Sequence, residues 1–187
     1  DLDILESIQR KTRCVVEVML TTADEALASR LEPTESTVGE RLELLRALRD
    51  AGIPTVVTLG PVLPYLTDSL ENLETLLGDC VEARVYGVIQ NGFGVTLRAG
   101  SSAYFFSCLR ELDPELPKKY EALLPPGKPR KAGMFLSPNA AALADFFQKS
   151  TAACRLVTDQ EALFAYRHAF LDRRAGQQLS LFDLFET

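Results

Sequence analysis

Apolar positions along this chain follow one rhythm up to about residue 90 and another beyond it. In DLDILESIQRKTR, Leu2, Leu5 and Ile8 share a helix face. CVVEVML (14–20) is short, β-branched and almost unbroken in apolar character, which predicts a strand buried on both faces. TTADEALASRLEP reads as a helix: Thr22 and Glu25 have capping-box spacing, Leu27 and Leu31 share a face, and Pro33 ends it. The next helix is the clearest in the chain, and Thr37 with Glu40 gives it another capping-box pattern. Its stripe is Val38, Leu42, Leu45 and Leu48, with Arg41, Arg46 and Arg49 largely off it and Gly52 just past its end. IPTVVTLGPVL is a second buried strand. Asp68 and Glu71 begin a third helix with Leu70, Leu73, Leu76 and Leu77 inward, and VEARVYGVIQ is a third strand. Helices alternating with strands imply parallel pairing through crossovers.

From Gly92 the pattern changes. NGFGVTLRAGS is glycine-rich, and SAYFFSCLRELD and LPKKYEALL are helical with aromatic faces. LLPPGKPRKAG (123–133) is a loop, SPNAAALADFFQKS a helix begun at Ser137-Pro138-Asn139, and DQEALFAYRHAFL another helix. RRAGQQLSLFDLFET is polar yet studded with Leu and Phe. No internal repeat is present.

Composition narrows the function. The 187 residues carry a net charge of −6 and 47% hydrophobic residues, enough for a real core and a poor match to bare nucleic acid. Cys14, Cys80, Cys108 and Cys154 are scattered, so no CxxC or iron–sulfur spacing occurs. His168 is the sole histidine, which disfavours a histidine-based zinc site or a Ser-His-Asp triad, and no metal ligand set is assigned. Isolated cysteines suit a reducing cytoplasm. No apolar run reaches transmembrane length, so no membrane partner is expected.

Several stretches together resemble a known family. TTADEALASRLEP, then Arg41-Leu42, AGIPTVVTLGPVLPYLTD, GVTLR, the YFF helix, Asp113-Pro114, KKY, SPN and a tail ending in QLSLF follow one another in order. In this order and spacing they resemble the C-terminal portion of radical SAM proteins of the spore-photoproduct-lyase-like (DNA repair photolyase-like) group. The resemblance spans nearly the whole chain. It implies an α/β fold: the C-terminal half of a partial, TIM-like (β/α) barrel with parallel strands over 1–98. A mainly helical C-terminal extension over 99–175 and a flexible tail over 176–187 would follow. It also implies S-adenosylmethionine (SAM) and a [4Fe–4S] cluster in the full-length protein, acting on a substrate such as damaged DNA. Ligands of parallel α/β folds sit at the carboxyl ends of strands. Thr21, Thr22, Pro61 and Asp68 lie at such ends; with Glu32 and Arg41 they are the cofactor-facing candidates that the resemblance implies, and Arg98 and Tyr104 would face substrate.

Two departures stand out. The family's CxxxCxxC cluster motif is absent, so this chain alone binds no cluster and the motif is expected upstream of Asp1. Met19 stands where the family usually has serine, and a thioether donates no hydrogen bond.

Each candidate has a plainer reading. Thr22 and Asp68 suit helix caps, Glu32 a solvated helix end, and Arg98 a structural ion pair. Arg41 suits bidentate carboxylate recognition. Tyr104, Phe105, Phe106 and Tyr120 can stack on bases but at helical spacing also build a core. Lys118, Lys119, Lys128, Arg130 and Lys131 form either a phosphate-binding patch or a solvated loop. Gln178, Leu179, Ser180, Leu181 and Phe182 look like the pentapeptide by which bacterial proteins dock on the sliding clamp, or else they fold back on the domain. The rival functions are a non-catalytic module recruited to that clamp and another α/β-barrel enzyme. The latter lacks any convincing catalytic constellation here.

Overall fold

The computed structural model describes residues 1–124 and 133–166. Within them lie α1 (Leu2–Thr12), β1 (Val16–Leu20), α2 (Glu25–Leu31), α3 (Val38–Asp50), β2 (Thr55–Leu59), α4 (Leu70–Ala83) and β3 (Gly87–Gln90). β4 (Gly94–Leu97), α5 (Ala99–Leu112), α6 (Leu116–Ala122), β5 (Gly133–Leu136), α7 (Ala140–Cys154) and α8 (Gln160–Ala165) follow.

The expected parallel sheet is present, in the order β1-β2-β3. Val18 pairs with Val57 and Val57 with Val88, so one face carries Val18, Leu20, Val57, Leu59 and Val88. That face packs on Val38 and Leu45 of α3, on Leu73, Leu76, Leu77 and Cys80 of α4, and on Leu143 of α7. Val56 and Ile89 of the opposite face pack on Leu163 of α8. All five residues of β2 are therefore buried. β3 ends against a single bridge from Gly87 to Val157. A Cβ at Gly87 would collide with the Leu163 side chain and the Val157 carbonyl, so only glycine admits this approach.

Two expectations need correction here. CVVEVML is not buried on both faces. β1 has a strand neighbour on one side only among the described residues, and Glu17 and Met19 are exposed. VEARVYGVIQ is not all strand: Val81–Ala83 complete α4, and Arg84 turns through a left-handed C-cap before β3. Beyond residue 98 the described residues are mainly helical, with one strand among the helices. β5 pairs antiparallel with β4, Leu97 opposite Gly133, across the expected boundary at residue 98. Phe135 of that pair joins Leu97, Phe106, Leu109, Leu116 and Tyr120 in a separate aromatic core.

Helix ends were read with mixed success. The Thr37–Glu40 capping box is formed, and Gly52 leaves α3 at φ 70°. The Thr22–Glu25 box is not formed. Asp24 caps α2 instead, accepting from Ala26 N and Leu27 N. Glu25 reaches across to accept from Val38 N (3.1 Å) and Gly39 N (3.4 Å) at the start of α3. No helix among the described residues is long and apolar enough to cross a membrane.

Leu45 is fully buried in α3 while its neighbour Leu44 is 46% exposed. Urea titration is expected to show Leu45→Ala losing about 2–5 kcal/mol, a transfer plus cavity cost. Leu44→Ala should lose no more than about 0.5 kcal/mol. Equal losses would contradict this packing of α3.

Candidate functional site

Three loops leave the sheet at its carboxyl end, and side chains distant in sequence tie them together. At the end of β1, the buried Thr21 hydroxyl donates to Glu32 Oε1 at 2.6 Å and lies 3.4 Å from the Gly60 carbonyl of the neighbouring loop. Arg41 Nη2 donates to Glu32 Oε2 at 2.7 Å, Nη1 to the Met19 carbonyl at 3.1 Å, and Nε to Ser36 Oγ at 3.3 Å. All three guanidinium nitrogens are engaged, and the side chain is only 11% exposed. A ligand carboxylate at Arg41 would have to share these donors or displace Glu32.

The backbone explains why Arg41 stops there. Val16 N and Leu20 O are used by the β2 side, so alternation turns the Met19 carbonyl to the open edge of β1. The Arg41 guanidinium satisfies that carbonyl. Beside it runs an open groove of about 560 Å³ lined by Glu17, Met19, Glu32, Glu35, Arg41 and Leu44. Thr58 donates to Glu17 at 2.5 Å across the sheet face that meets it.

Thr22 and Asn72 form the second tie. The Thr22 hydroxyl and Ala23 N both donate to Asn72 Oδ1 at 3.1 and 2.8 Å, and Asn72 Nδ2 donates to the Thr67 carbonyl at 2.9 Å. Asn72 thus bridges the loops after β1 and β2. It was not singled out in the sequence, because a helical asparagine carries no signal for a long-range bridge.

The loop after β2 is stiff by composition and by bonding. Gly60 has φ 132°, the Gly60–Pro61 peptide is cis, and Pro61 is exposed while Val62, Leu63 and Pro64 are buried. Leu63 N donates to Thr67 Oγ1 at 2.8 Å, closing the loop on itself. Asp68 does not cap α4. Ser69 is the cap, accepting from Asn72 N. Asp68 is buried and accepts from the Ser137 hydroxyl at 2.6 Å, while Asn139 Nδ2 donates to its carbonyl at 3.1 Å. Ser137-Pro138-Asn139 therefore anchors α7 to the site loop as well as starting the helix.

Thr21, Glu32 and Arg41 are thus brought together, with Thr22, Pro61 and Asp68 on the same rim of loops. The substrate candidates lie apart from that network. Arg98 is exposed past the end of β4, at the N-cap of α5. Tyr104 is 73% exposed on α5, and a hydrogen bond with Cys108 raises its phenol pKa. Phe106 and Tyr120 are core residues. Burial, followed by the charge of Asp68 and by Tyr65, pushes the Tyr120 phenol well up. Lys118 pairs with Glu115 at 2.9 Å, and Lys119 lies 3.8 Å from Asp113. Lys128, Arg130, Lys131, His168 and the Gln178, Leu179, Ser180, Leu181, Phe182 segment lie outside the described residues. Among the described residues no group of His, Cys, Asp or Glu is placed to hold a metal.

Comparison with known proteins gives relatives without an assigned role. Uncharacterized proteins of Mycobacterium bovis and Mycobacterium tuberculosis are each 35% identical over 139 residues, covering 74% of this chain and 38% of their own length. An uncharacterized protein of Acidianus two-tailed virus is 28% identical over 132 residues, covering 66% of this chain and 43% of its own. The chain spans well under half the length of these relatives. No family model matches the chain, and no solved structure matches it.

Replacing Asn72 with alanine strands the Thr22 hydroxyl, Ala23 N and the Thr67 carbonyl together. Chemical denaturation is expected to show a loss of about 1–3 kcal/mol. Hydrogen exchange should quicken at Ala23 first. An unchanged Ala23 rate would show that Asn72 does not hold the two loops.

Proposed function

We propose that the chain is the C-terminal part of a radical SAM iron–sulfur protein, half of a partial (β/α) barrel whose strand ends hold SAM. The observation that carries the reading is the Thr21–Glu32–Arg41 network. It gathers charged and hydrogen-bonding side chains at the carboxyl end of a parallel sheet, where ligands of such folds bind. β1 lacks a second strand neighbour among the described residues, which leaves room for further strands of a barrel if Arg41 gives up the Met19 carbonyl.

The residues fit the two cofactors differently. SAM presents ammonium and ribose hydroxyl donors, and Glu32 is an acceptor aimed by Thr21 and Arg41. In this reading Arg41 is chiefly the residue that fixes Glu32, and it meets the SAM carboxylate only by sharing its donors. The cluster does not fit the described residues. Cys14 precedes β1, whereas Cys80, Cys108 and Cys154 lie on α4, α5 and α7. Its thiolates must come from sequence outside this chain, and none of these cysteines is given a redox role. A cluster held by residues outside this chain would supply the reducing electron for SAM cleavage. The contribution of this chain is to orient SAM and exclude water around it. Damaged DNA is the substrate the reading favours.

The test is anaerobic purification of the gene product from its own start codon through Thr187, with iron, sulfide and 5′-deoxyadenosine measured. Cluster and cleavage are expected, and Glu32→Gln should lower cleavage about tenfold or more through loss of a charged acceptor. Absence of both cluster and cleavage overturns the reading and leaves an interaction module in its place.

A further inference from the structure

One residue at the carboxyl end of β2 pays no part in the network above, yet holds an unfavourable backbone. Tyr65 has φ 64°, in the left-handed region that a bulky L-residue rarely adopts. Glycine would sit there without strain. An outlier of this kind at a strand's carboxyl end invites a functional question.

The surroundings of the ring answer it. Tyr65 stands in the loop whose Gly60 carbonyl meets Thr21, at the end of that loop turned to the second core. Its ring contacts Tyr120 at 6.2 Å between centroids, with the planes 67° apart. Tyr120 is wholly buried, and the Phe105, Phe106 and Phe135 rings pack around it, so the support is rigid. Lys119 Nζ lies 6.0 Å from the Tyr65 centroid. Despite both neighbours the residue remains 42% exposed. A left-handed backbone thus holds a partly exposed aromatic ring against a buried aromatic core.

We propose that Tyr65 is a stacking platform for a nucleobase at the carboxyl end of β2. Base–aromatic stacking needs a ring held at low conformational cost, and the Tyr120 backing provides it. Lys119 shares its charge with Asp113 at 3.8 Å, so recognition rests on the ring rather than on phosphate. The base has two sources, the adenine of SAM or a base of a nucleic acid strand. The inference rests on the function proposed above for its setting but not for its test.

The experiment titrates the full gene product with S-adenosylhomocysteine and, separately, with a fluorescein-labelled oligothymidylate. Tyr65→Gly should weaken at least one of them about tenfold, the loss of one stacked base. Tyr65→Phe should keep affinity within about twofold, because the ring remains. The thermal midpoint of Tyr65→Gly should change little, because relief of the left-handed backbone offsets the lost contact with Tyr120, which separates lost binding from lost folding. Loss with S-adenosylhomocysteine assigns the adenine source, and loss with the oligonucleotide assigns the strand. The proposal is overturned if the wild-type chain binds neither probe. It is equally overturned if Tyr65→Gly binds both as well as wild type, or if Tyr65→Phe loses as much as Tyr65→Gly. Neither probe requires a cluster, so failure here leaves the cleavage test standing, and failure of cleavage leaves this result standing.

Discussion

β2 has a parallel partner on each side and an apolar layer on each face, so its backbone and side chains have almost no freedom of placement. Its N–H and C=O groups are met by β1 and β3, and burial makes any unmet group costly. A slip of one residue would exchange Val57 and Leu59 with Val56 and Thr58 between the two layers. The register is therefore fixed, and with it the point at which Gly60-Pro61 leaves the sheet. Everything on the rim of the candidate site is referred to that point.

The rim is built by contacts between segments far apart in sequence. Glu32 ends α2 yet is held by Thr21 before that helix and Arg41 after it. Asn72 belongs to α4 and clamps the loop after β1. Asp68 belongs to the loop after β2 and is held by the start of α7. Such ties position polar atoms more firmly than loops alone, because moving one loop breaks bonds in another. They also explain how Arg41, drawn from α3, comes to cover an edge carbonyl of β1. The second core, around Tyr120 and Phe135, supplies an independent backing to the far end of the β2 loop through Tyr65.

Local patterns survived the passage from sequence to structure where neighbours in sequence were also partners. The Thr37–Glu40 box and the Gly52 exit are of this kind, as is the unbroken apolar run of β2. Where partners are distant, local signals misled. Thr22 has box spacing to Glu25, but Asn72 and the start of α3 offer both residues other partners. Asp68 looks like a cap only until Ser137 claims it, leaving Ser69 to do the capping. CVVEVML reads as central because composition records apolarity and not the number of neighbouring strands. GMFL was hidden at the end of a proline- and lysine-rich loop, since a four-residue strand becomes visible only with its partner GVTL. The resemblance directed attention to Thr21, Glu32 and Arg41 together, while the pairing of Arg41 with Glu32 and Met19 required coordinates.

We propose that SAM occupies the carboxyl end of the β1–β2 pair. Hydrogen exchange on the full gene product, with and without SAM, tests it most directly. The account predicts slowed exchange at residues 20–24 and 60–68, with residues 32–41 following as Glu32 is immobilised. Protection confined to the turns at the amino ends of the strands, near 13–15, 52–54 and 84–86, would contradict it.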